Sequence, residues 1–268
     1  MQIFALALAV VLNSLIAGDA PEPYKLRPPR HGGVYVVAHR GAHQGIPENT
    51  LAAYRKAIEL GADFAEIDVR TTKDGALVSI HNDTVDAYTD QASGKVSDFT
   101  LEKLRALDIG SRVGPEWGKE RIPTLDQILT LCKGRIGIYL DLKAAGPMEV
   151  LAVVRRHGME NDVLWYAAPS RLRAVQEACP ECWVMPDPGP ERLLPAVIER
   201  FQPRVVASVW RFFSASFVET CHKADAIVLV DESDPGCWEQ ALEWRADGIQ
   251  TDHPAELIAF LRTRNRSQ

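Results

Sequence analysis

The chain has 268 residues, 46% of them hydrophobic, which is enough for the core of one β/α barrel, a fold of roughly 250 residues. Its 36 acidic and 30 basic residues give a net charge of -6, and no segment is rich in lysine and arginine. We therefore expect no nucleic acid partner, because binding a polyanion requires clustered cations that release its counterions.

The first twenty residues have the pattern of an export signal. Residues 3–12 form an unbroken apolar run, and Gly18-Asp19-Ala20 follows as a small-x-small pattern. We therefore expect residues 1–20 to be a signal peptide and the protein to be periplasmic or secreted. No lysine or arginine precedes the apolar run, so an uncleaved N-terminal membrane anchor stays open, although the run is shorter than the ~20 residues that span a bilayer.

Residues 34–268 are predicted to form one domain, preceded by a proline- and glycine-containing linker over residues 21–33. From residue 34 onward, short β-branched apolar runs alternate with segments of helical periodicity, as in parallel βα units. The first helix is predicted over Thr50–Leu60, with Asn49 as its N-cap and Gly61 as its stop. Nine strands are predicted, at Val34–Val37, Phe64–Val69, Leu77–Ile80, Ile136–Leu140, Val163–Ala167, Trp183–Met185, Val205–Val209, Ile227–Val230 and Gly248–Thr251.

The second and third predicted strands are joined by a connection that is too short for parallel neighbours. Only a few residues, including Asp74-Gly75, separate Val69 from Leu77, which predicts an antiparallel hairpin. A turn centred on Asp74-Gly75 would place His81 opposite Asp68. The remaining eight strands are parallel, so we expect a (β/α)8 TIM-like barrel with a hairpin inserted after strand 2. The hairpin would project from the carboxyl-terminal rim, where such barrels carry their chemistry.

Polar side chains lie at the ends of three predicted barrel strands. A His39-Arg40 pair follows the first strand, and alternation directs Glu66 and Asp68 of the second strand to the same side. Two carboxylates that point into a barrel repel each other unless a cation or a basic side chain lies between them, and a metal ion is the simplest such charge. Asp141 adds a third carboxylate, with Lys143 on the same face. Three carboxylates suit Mg²⁺ or Ca²⁺ far better than zinc.

These residues belong to a series of motifs that resembles the glycerophosphodiester phosphodiesterase family. In chain order, the motifs are His39-Arg40-Gly41, Pro47-Glu48-Asn49-Thr50, Glu66-Ile67-Asp68, the Thr72-Lys73-Asp74-Gly75 turn leading to His81, Gly94-Lys95-Val96 with Thr100-Leu101, Leu107-Asp108-Ile109-Gly110, Ile122-Pro123-Thr124-Leu125, Asp141-Leu142-Lys143 and Asp247-Gly248-Ile249-Gln250-Thr251-Asp252. Each motif alone is weak, but their order and spacing together are highly specific.

The resemblance implies a phosphoric diester hydrolase that cleaves glycerophosphodiesters to glycerol 3-phosphate and an alcohol, with one divalent cation, Mg²⁺ or Ca²⁺. It assigns three residues to the metal, Glu66, Asp68 and Asp141. It assigns His39 and His81 to acid and base catalysis, and Arg40 and Lys143 to the binding of the phosphate. Glu48 is either a further ligand, a residue that orients His39 or Arg40, or an acidic residue at a helix N-terminus.

The chemistry of these residue types agrees with the implied reaction. Attack on a phosphodiester builds negative charge on the phosphate oxygens, which a cation and basic side chains stabilise. Two imidazoles can divide the proton transfers between the nucleophile and the leaving alkoxide. The expected partner is thus a small-molecule phosphodiester, with substrates derived from membrane lipids included. The sequence does not indicate oligomeric partners.

The chain departs from the family pattern where a substrate's organic part would bind. After His81 it lacks the usual arginine, and Leu229-Val230-Asp231-Glu232 stands where the family often has Trp-Thr-Val-Asn. Glycerol recognition is therefore less firmly indicated than the phosphoryl chemistry. Two alternatives stay open, a lysophospholipase D or sphingomyelinase D-like enzyme and a non-catalytic phosphodiester-binding barrel.

Some aromatic and histidine residues have two interpretations. Trp210 and the Phe212-Phe213 pair line either a pocket for an acyl chain or, as we favour, the ordinary core. His43 and His253 are interpreted as incidental, and Asp252 as a residue that helps to cap the last helix.

The five cysteines point to structural roles. Cys179 and Cys182 have the spacing of a redox or half-zinc motif, but no second cysteine pair or nearby histidine accompanies them. We therefore expect buried thiols or one local disulfide.

Overall fold

The computed structural model describes residues 26–266. The predicted signal peptide and residues 21–25 of the predicted linker lie outside the described residues. The strands are β1 (Tyr35–Ala38), β2 (Phe64–Thr71), β3 (Leu77–Ser79), β4 (Gly137–Ala144), β5 (Val163–Tyr166), β6 (Trp183–Val184), β7 (Val205–Val209), β8 (Ile227–Asp231) and β9 (Gly248–Thr251). The α-helices are α1 (Leu51–Leu60), α2 (Leu101–Ala106), α3 (Leu125–Cys132), α4 (Pro147–His157), α5 (Pro169–Ala178), α6 (Leu194–Phe201), α7 (Ala215–Lys223), α8 (Trp238–Glu243) and α9 (Pro254–Arg266).

Eight parallel strands form a nearly closed barrel in the order β6-β5-β4-β2-β1-β9-β8-β7. Between β6 and β7, the N–H of Ala207 donates to the carbonyl oxygen of Pro186 at 3.0 Å, which links the two ends of the sheet. The helices surround the strands. The predicted (β/α)8 TIM-like barrel is therefore confirmed.

Strand alternation separates two apolar layers. In β1, Val36 belongs to the cluster between strands and helices, whereas Val37 belongs to the cluster inside the barrel. The same alternation divides Trp165 from Leu164 in β5. The inner cluster fills the barrel, so polar side chains near the carboxyl ends of the strands lie on a packed apolar floor.

Helix α1 begins one residue later than its predicted cap would place it. The hydroxyl of Thr50 accepts a hydrogen bond from the N–H of Ala53 at 3.2 Å, so Thr50 is the N-cap. Asn49 was predicted for that position, and this prediction is wrong. Its backbone takes a φ of 55°, and its amide points into the barrel instead. Gly61 ends the helix at a φ of 82°, as predicted.

The predicted hairpin exists, but its register differs from the prediction by one residue. Thr71 pairs with Leu77 and Val69 with Ser79, and the N–H of Ile80 donates to the carbonyl oxygen of Asp68 at 3.0 Å. The predicted pairing of His81 with Asp68 is therefore wrong. The physical reason is the turn: the N–H of Thr72 donates to the carbonyl oxygen of Ala76, so Lys73 joins Asp74 and Gly75 in a three-residue loop, in which Gly75 takes a φ of 83°.

The long connection after β3 has an apolar core of its own. It contains α2 and two short 3-10 turns, and it packs back onto the hairpin. Together with Val78 of β3, its buried residues form a cluster separate from the two barrel layers, made of Ile80, Val85, Val96, Leu104, Leu107, Ile109 and Ile122. We call residues 80–122 the insertion.

The described part of the predicted linker contacts the amino-terminal end of the barrel. The N–H of Arg30 donates to Asp63 Oδ1 at 2.9 Å, and the Arg30 guanidinium donates to the carbonyl oxygen of Ala62 at 3.2 Å. His31 Nε2 lies 2.8 Å from the carbonyl oxygen of Gly61. Residues 26–33 therefore cover the barrel opposite its carboxyl-terminal rim.

Both structural interpretations of the cysteines occur in the described residues. Cys179 and Cys182 form a disulfide, whereas Cys132 and Cys221 are buried thiols. Within residues 26–266, no helix combines the length and apolar character needed to cross a membrane.

Candidate active site

A polar cavity of about 230 Å³ opens at the carboxyl ends of the barrel strands. It is lined by His39, Arg40, Glu66, His81, Tyr139, Asp141, Lys143, Tyr166, Asp187, Ala207, Ser208, Val209, Asp231 and Gln250. Six predicted site residues are among these. The other two are Asp68, which contacts Arg40 and Lys143, and Glu48, which contacts Arg40. The structure therefore brings all eight together.

Three carboxylates form the centre of the site. Asp68 of β2 lies beside Asp141 of β4 in the parallel register, and Glu66 lies two residues earlier on the same face of β2. Each residue offers one oxygen, and these three oxygens lie within 4.8 Å of one another. Burial, and then repulsion from Asp68 and Asp141, hold the pKa of Glu66 well above its usual range. Such a cluster requires compensating positive charge.

Lys143 supplies part of that charge. Its Nζ lies 2.6 Å from Asp141 Oδ2 and 3.3 Å from Asp68 Oδ1. Burial raises the pKa of Asp141, although the Lys143 ammonium opposes this effect. Burial likewise disfavours the charged ammonium, yet Asp141 and Asp68 raise the pKa of Lys143. The residue predicted to bind phosphate therefore lies among the carboxylates.

Asp68 leaves one oxygen open. Its side chain is buried, and Oδ2 accepts a hydrogen bond from Asn49 Nδ2 at 2.7 Å. Its Oδ1 is also buried but makes no hydrogen bond within residues 26–266, even though Lys143 is near. An open carboxylate oxygen beside two further carboxylates fits a hard divalent cation with oxygen ligands. The residues present therefore suit the cation that the sequence predicts.

Both predicted catalytic histidines lie on the cavity, and each is held through Nδ1. His39 Nδ1 lies 2.7 Å from Asp252 Oδ1, and His81 Nδ1 lies 2.9 Å from Asn82 Oδ1. The hydrogen bond from His39 is the main cause that holds the pKa of Asp252 well below its usual range. Because an ionised carboxylate only accepts, Nδ1 of His39 carries the proton and Nε2 is left for a substrate.

Sequence reasoning missed the role of Asp252 and the position of His43. Asp252 follows β9, which pairs with β1, so it lies next to His39 although 213 residues separate them. His43 Nδ1 lies 2.8 Å from the carbonyl oxygen of His39, and its Nε2 lies 3.5 Å from Asp252 Oδ1. The Thr251-Asp252 end of the last motif was the signal that could have identified this contact.

Arg40 joins the carboxylate cluster to Glu48. Its backbone has a φ of 53°, and its N–H donates to Glu66 Oε2 at 2.7 Å. Its guanidinium donates to Glu48 Oε2 at 2.8 Å, and the other Glu48 oxygen accepts from Tyr88 at 3.1 Å. Of the three predicted roles of Glu48, the contact with Arg40 is the one that this geometry supports.

Asn49 is a second residue whose role was not predicted. Its Oδ1 accepts hydrogen bonds from Tyr54 at 2.8 Å and from Ser79 at 2.7 Å, while its Nδ2 donates to Asp68. The amide is thus fixed by three neighbours and orients one carboxylate of the cluster. The unusual backbone of Asn49, which sequence patterns do not reveal, makes this contact available.

Fold and site together define a β/α barrel that gathers three carboxylates, two histidines and two basic side chains at its carboxyl-terminal end. Residues 39–177, just over half of the chain, match the model of the Glycerophosphoryl diester phosphodiesterase family. The chain belongs to this family.

Two named relatives illustrate the match in sequence. The chain is 52% identical over 96 residues to the glycerophosphodiester phosphodiesterase of Caldanaerobacter subterraneus, covering 36% of this chain and 39% of that protein. It is 34% identical over 193 residues to a Mycobacterium tuberculosis protein named "Probable glycerophosphodiester phosphodiesterase 1", covering 66% of this chain and 68% of that protein. The chain spans less than half the length of the first curated relatives that it matches.

Solved structures match over most of the barrel. A glycerophosphodiester phosphodiesterase from Agrobacterium tumefaciens superposes with a TM-score of 0.75 at 29% identity, over 84% of this chain and 99% of that one. An Oleispira antarctica phosphodiesterase, solved in complex with the product sn-glycerol-3-phosphate, superposes with a TM-score of 0.78 at 26% identity, over 85% of this chain and 96% of that one.

Proposed function

We propose that the protein hydrolyses glycerophosphodiesters to glycerol 3-phosphate and an alcohol, with one divalent cation, Mg²⁺ or Ca²⁺. The observation that carries this proposal is the convergence of a three-carboxylate cluster and two histidines on one cavity. A non-catalytic binding protein has no need of two proton-transfer groups beside such a cluster. Family membership and the product that the Oleispira antarctica relative binds support the same substrate class.

Glu66, Asp68 and Asp141 would hold the cation through their clustered oxygens. The bound cation would stabilise the negative charge that develops on the phosphate oxygens. Lys143 and Arg40 face the same cavity and keep their positive charges there, because carboxylates surround both groups. They would orient the phosphate, and the guanidinium can do so through paired hydrogen bonds.

His39 and His81 would divide the two proton transfers. Each ring uses Nδ1 in a contact with a neighbouring oxygen, so each can use Nε2 toward the substrate. One imidazole takes the proton of the attacking oxygen, and the other gives a proton to the departing alkoxide. Asp252 accepts the Nδ1–H of His39 and keeps the ring oriented.

A direct assay tests this proposal. Purified protein is incubated with glycerophosphocholine in the presence of Mg²⁺, Ca²⁺ or EDTA, and the release of glycerol 3-phosphate and choline is measured. We expect turnover with a divalent cation and its loss with EDTA. Turnover that EDTA does not reduce contradicts the proposed role of the cation.

The same assay with lysophosphatidylcholine separates the alternative enzymes. Preference for the acylated substrate, with release of choline from it, would favour the lysophospholipase D or sphingomyelinase D-like activity. Failure to cleave any diester with any cation, combined with binding of glycerophosphocholine in calorimetry, would favour a binding protein.

A further inference from the structure

The cavity has two unlike walls. The first carries the carboxylate cluster, the two histidines, Arg40 and Lys143, all from β1 to β4. The second, which we call the far wall, consists of Tyr166 at the end of β5, Asp187 after β6, Asp231 at the end of β8 and Gln250 of β9. The proposed hydrolysis does not use the far wall.

We infer that the far wall binds the alcohol side of the phosphodiester and selects an alcohol that carries a positive charge, such as an amino alcohol. This inference rests on the proposed function, since it assigns the part of the substrate that leaves. It adds residues that determine specificity and a chemical class for the leaving group.

Two carboxylates give the far wall its charge. Asp187 Oδ1 accepts a hydrogen bond from the N–H of Gly189 at 2.6 Å, and Oδ2 accepts from Tyr166 at 3.3 Å. Burial raises the pKa of Asp187, whereas these two hydrogen bonds and the charge of Arg211 act in the opposite direction and favour the ionised carboxylate. The Asp231 carboxylate lines the cavity, and no ion pair or side-chain hydrogen bond reaches it from the part of the chain that the structure describes.

Gln250 provides an independent sign of a ligand. Its side chain is only 5% exposed and lines the same cavity. Its Oε1 is buried and has no hydrogen-bond partner among residues 26–266. In register it lies between Val37 and Asp231, so it borders the far wall. A buried amide oxygen without a donor costs free energy, and an N–H or O–H group of a bound alcohol would relieve it.

The cations around the cavity do not neutralise the far wall. Arg40 pairs with Glu48, and Lys143 lies between Asp68 and Asp141. Arg211 is near Asp187, but it is exposed and stacks on Phe212, with its guanidinium carbon 4.7 Å from the ring centroid. Both residues line a groove outside the cavity, which we call the outer groove. Asp187 and Asp231 therefore form no ion pair within residues 26–266, although the charge of Arg211 acts on Asp187 from the outer groove.

A positively charged alcohol gains most from this surface. Its charge would be attracted to Asp187 and Asp231 in a site of low effective dielectric constant, whereas a neutral alcohol gains only hydrogen bonds. Tyr139 and Tyr166, whose ring centroids lie 5.7 Å apart, add aromatic surface that attracts ammonium groups. An anionic alcohol would be repelled. The outer groove shares Tyr166 and Asp187 with the cavity, so the alcohol has a path to solvent.

The experiment compares diesters that differ only in their alcohol. kcat/KM is measured with Mg²⁺ for glycerophosphocholine and glycerophosphoethanolamine, which carry a positive charge, and for glycerophosphoglycerol, whose alcohol is neutral. We expect wild type to prefer the charged alcohols. Asp231→Asn should lower kcat/KM for the charged pair by about 10-fold, mainly through KM, and should leave the neutral diester within about 2-fold.

A control just before the same strand separates local recognition from overall charge. Asp225 is exposed and precedes the amino-terminal end of β8, so Asp225→Asn removes the same charge far from the cavity. It should leave the preference unchanged. Asp187→Asn is a second variant, and thermal unfolding of each variant verifies that it folds.

The outcomes are distinct for the two proposals. If wild type cleaves charged and neutral diesters equally well, or if Asp231→Asn and Asp187→Asn lower all rates by the same factor, the inference is overturned while the phosphodiesterase activity stands. If no diester is cleaved with any cation, the proposed function fails and the inference fails with it. A loss of preference in both variants but not in Asp225→Asn supports the inference.

Discussion

Two buried aspartates at opposite ends of β2 differ in how their charges are satisfied. Asp63, just before the strand, is 8% exposed and accepts hydrogen bonds from the N–H of Val36 at 2.8 Å and of Arg30 at 2.9 Å. Asp68, near the other end, is 1% exposed and has one oxygen without a hydrogen bond inside the described range. Backbone N–H groups satisfy both oxygens of Asp63, whereas Asp68 Oδ1 has, among the described residues, only the Lys143 ammonium 3.3 Å away, which is consistent with the proposed role of Asp68 as a cation ligand.

The largest effect is expected from substitutions at the two cavity histidines, which test whether the carboxyl-terminal end of the barrel is where the reaction occurs. His39→Ala and His81→Ala should each lower turnover by roughly 10²-fold or more, a typical loss for a general acid or base. Both rings contact neighbours at the rim and not in the apolar core, so the unfolding temperature should change little. Steady-state kinetics and thermal unfolding of the same preparations measure the two effects.

His253→Ala is the matched control for these variants. Its ring lies outside the cavity, with Nδ1 3.1 Å from Glu256 Oε1, so its loss should leave turnover unchanged. Near wild-type rates in both cavity variants would remove the two histidines from the mechanism.

The next effect applies the same substitution to the two aspartates. Asp68→Asn removes charge at the open oxygen, so affinity for Mg²⁺ or Ca²⁺ should fall by about 10-fold or more, since even outer partners of a metal site change affinity by that factor. The free energy of unfolding should change less than the free energy of cation binding, because the substitution also relieves repulsion from Glu66 and Asp141. Titration calorimetry and urea denaturation measure the two quantities.

Asp63→Asn should give the opposite pattern. An asparagine amide would place a donor against one of the two backbone N–H groups that Asp63 now satisfies. The free energy of unfolding should fall by about 1–3 kcal/mol, while cation affinity stays unchanged. If Asp63→Asn weakened cation binding, or if Asp68→Asn mainly destabilised the fold, the contrast between the two ends of β2 would be wrong.

The smallest effect concerns the pH dependence of stability. The hydrogen bond from His39 lowers the pKa of Asp252, so this carboxyl stabilises the folded state above its unfolded pKa of about 4 and loses that contribution as pH falls further. The Asp252 side chain is one-third exposed, so the contribution should be about 1 kcal/mol or less. Lowering the pH from about 5 to 3 should therefore reduce the unfolding temperature of wild type more than that of Asp252→Asn. Equal slopes would contradict this linkage.

The barrel could be predicted because local patterns determine it. Alternation places Glu66 and Asp68 on one face, and parallel pairing then brings Asp141 beside Asp68, so the carboxylate cluster follows from strand geometry. The order of the motifs likewise allowed His39 and His81 to be predicted as residues of the same site.

The unpredicted contacts depend on features that sequence patterns do not contain. The hairpin register differs from the prediction because Lys73 joins Asp74 and Gly75 in the turn. Asn49 reaches Asp68 only because its backbone adopts a positive φ, and Asp252 reaches His39 only because the last strand pairs with the first. The far wall is assembled from four separate strand ends, and among its residues only Gln250 lies in one of the motifs found in the sequence.

The insertion's separate apolar core has a consequence for how this protein can vary. Residues such as Val85, Leu104 and Ile109 pack among themselves and onto the hairpin, and they do not belong to either barrel layer. Tyr88 and Ile109 also line a second opening of about 370 Å³ that borders Arg40. Exchange of residues 82–122 between homologues would therefore remodel one approach to the cavity, while His81 and the strands that carry the carboxylates are retained.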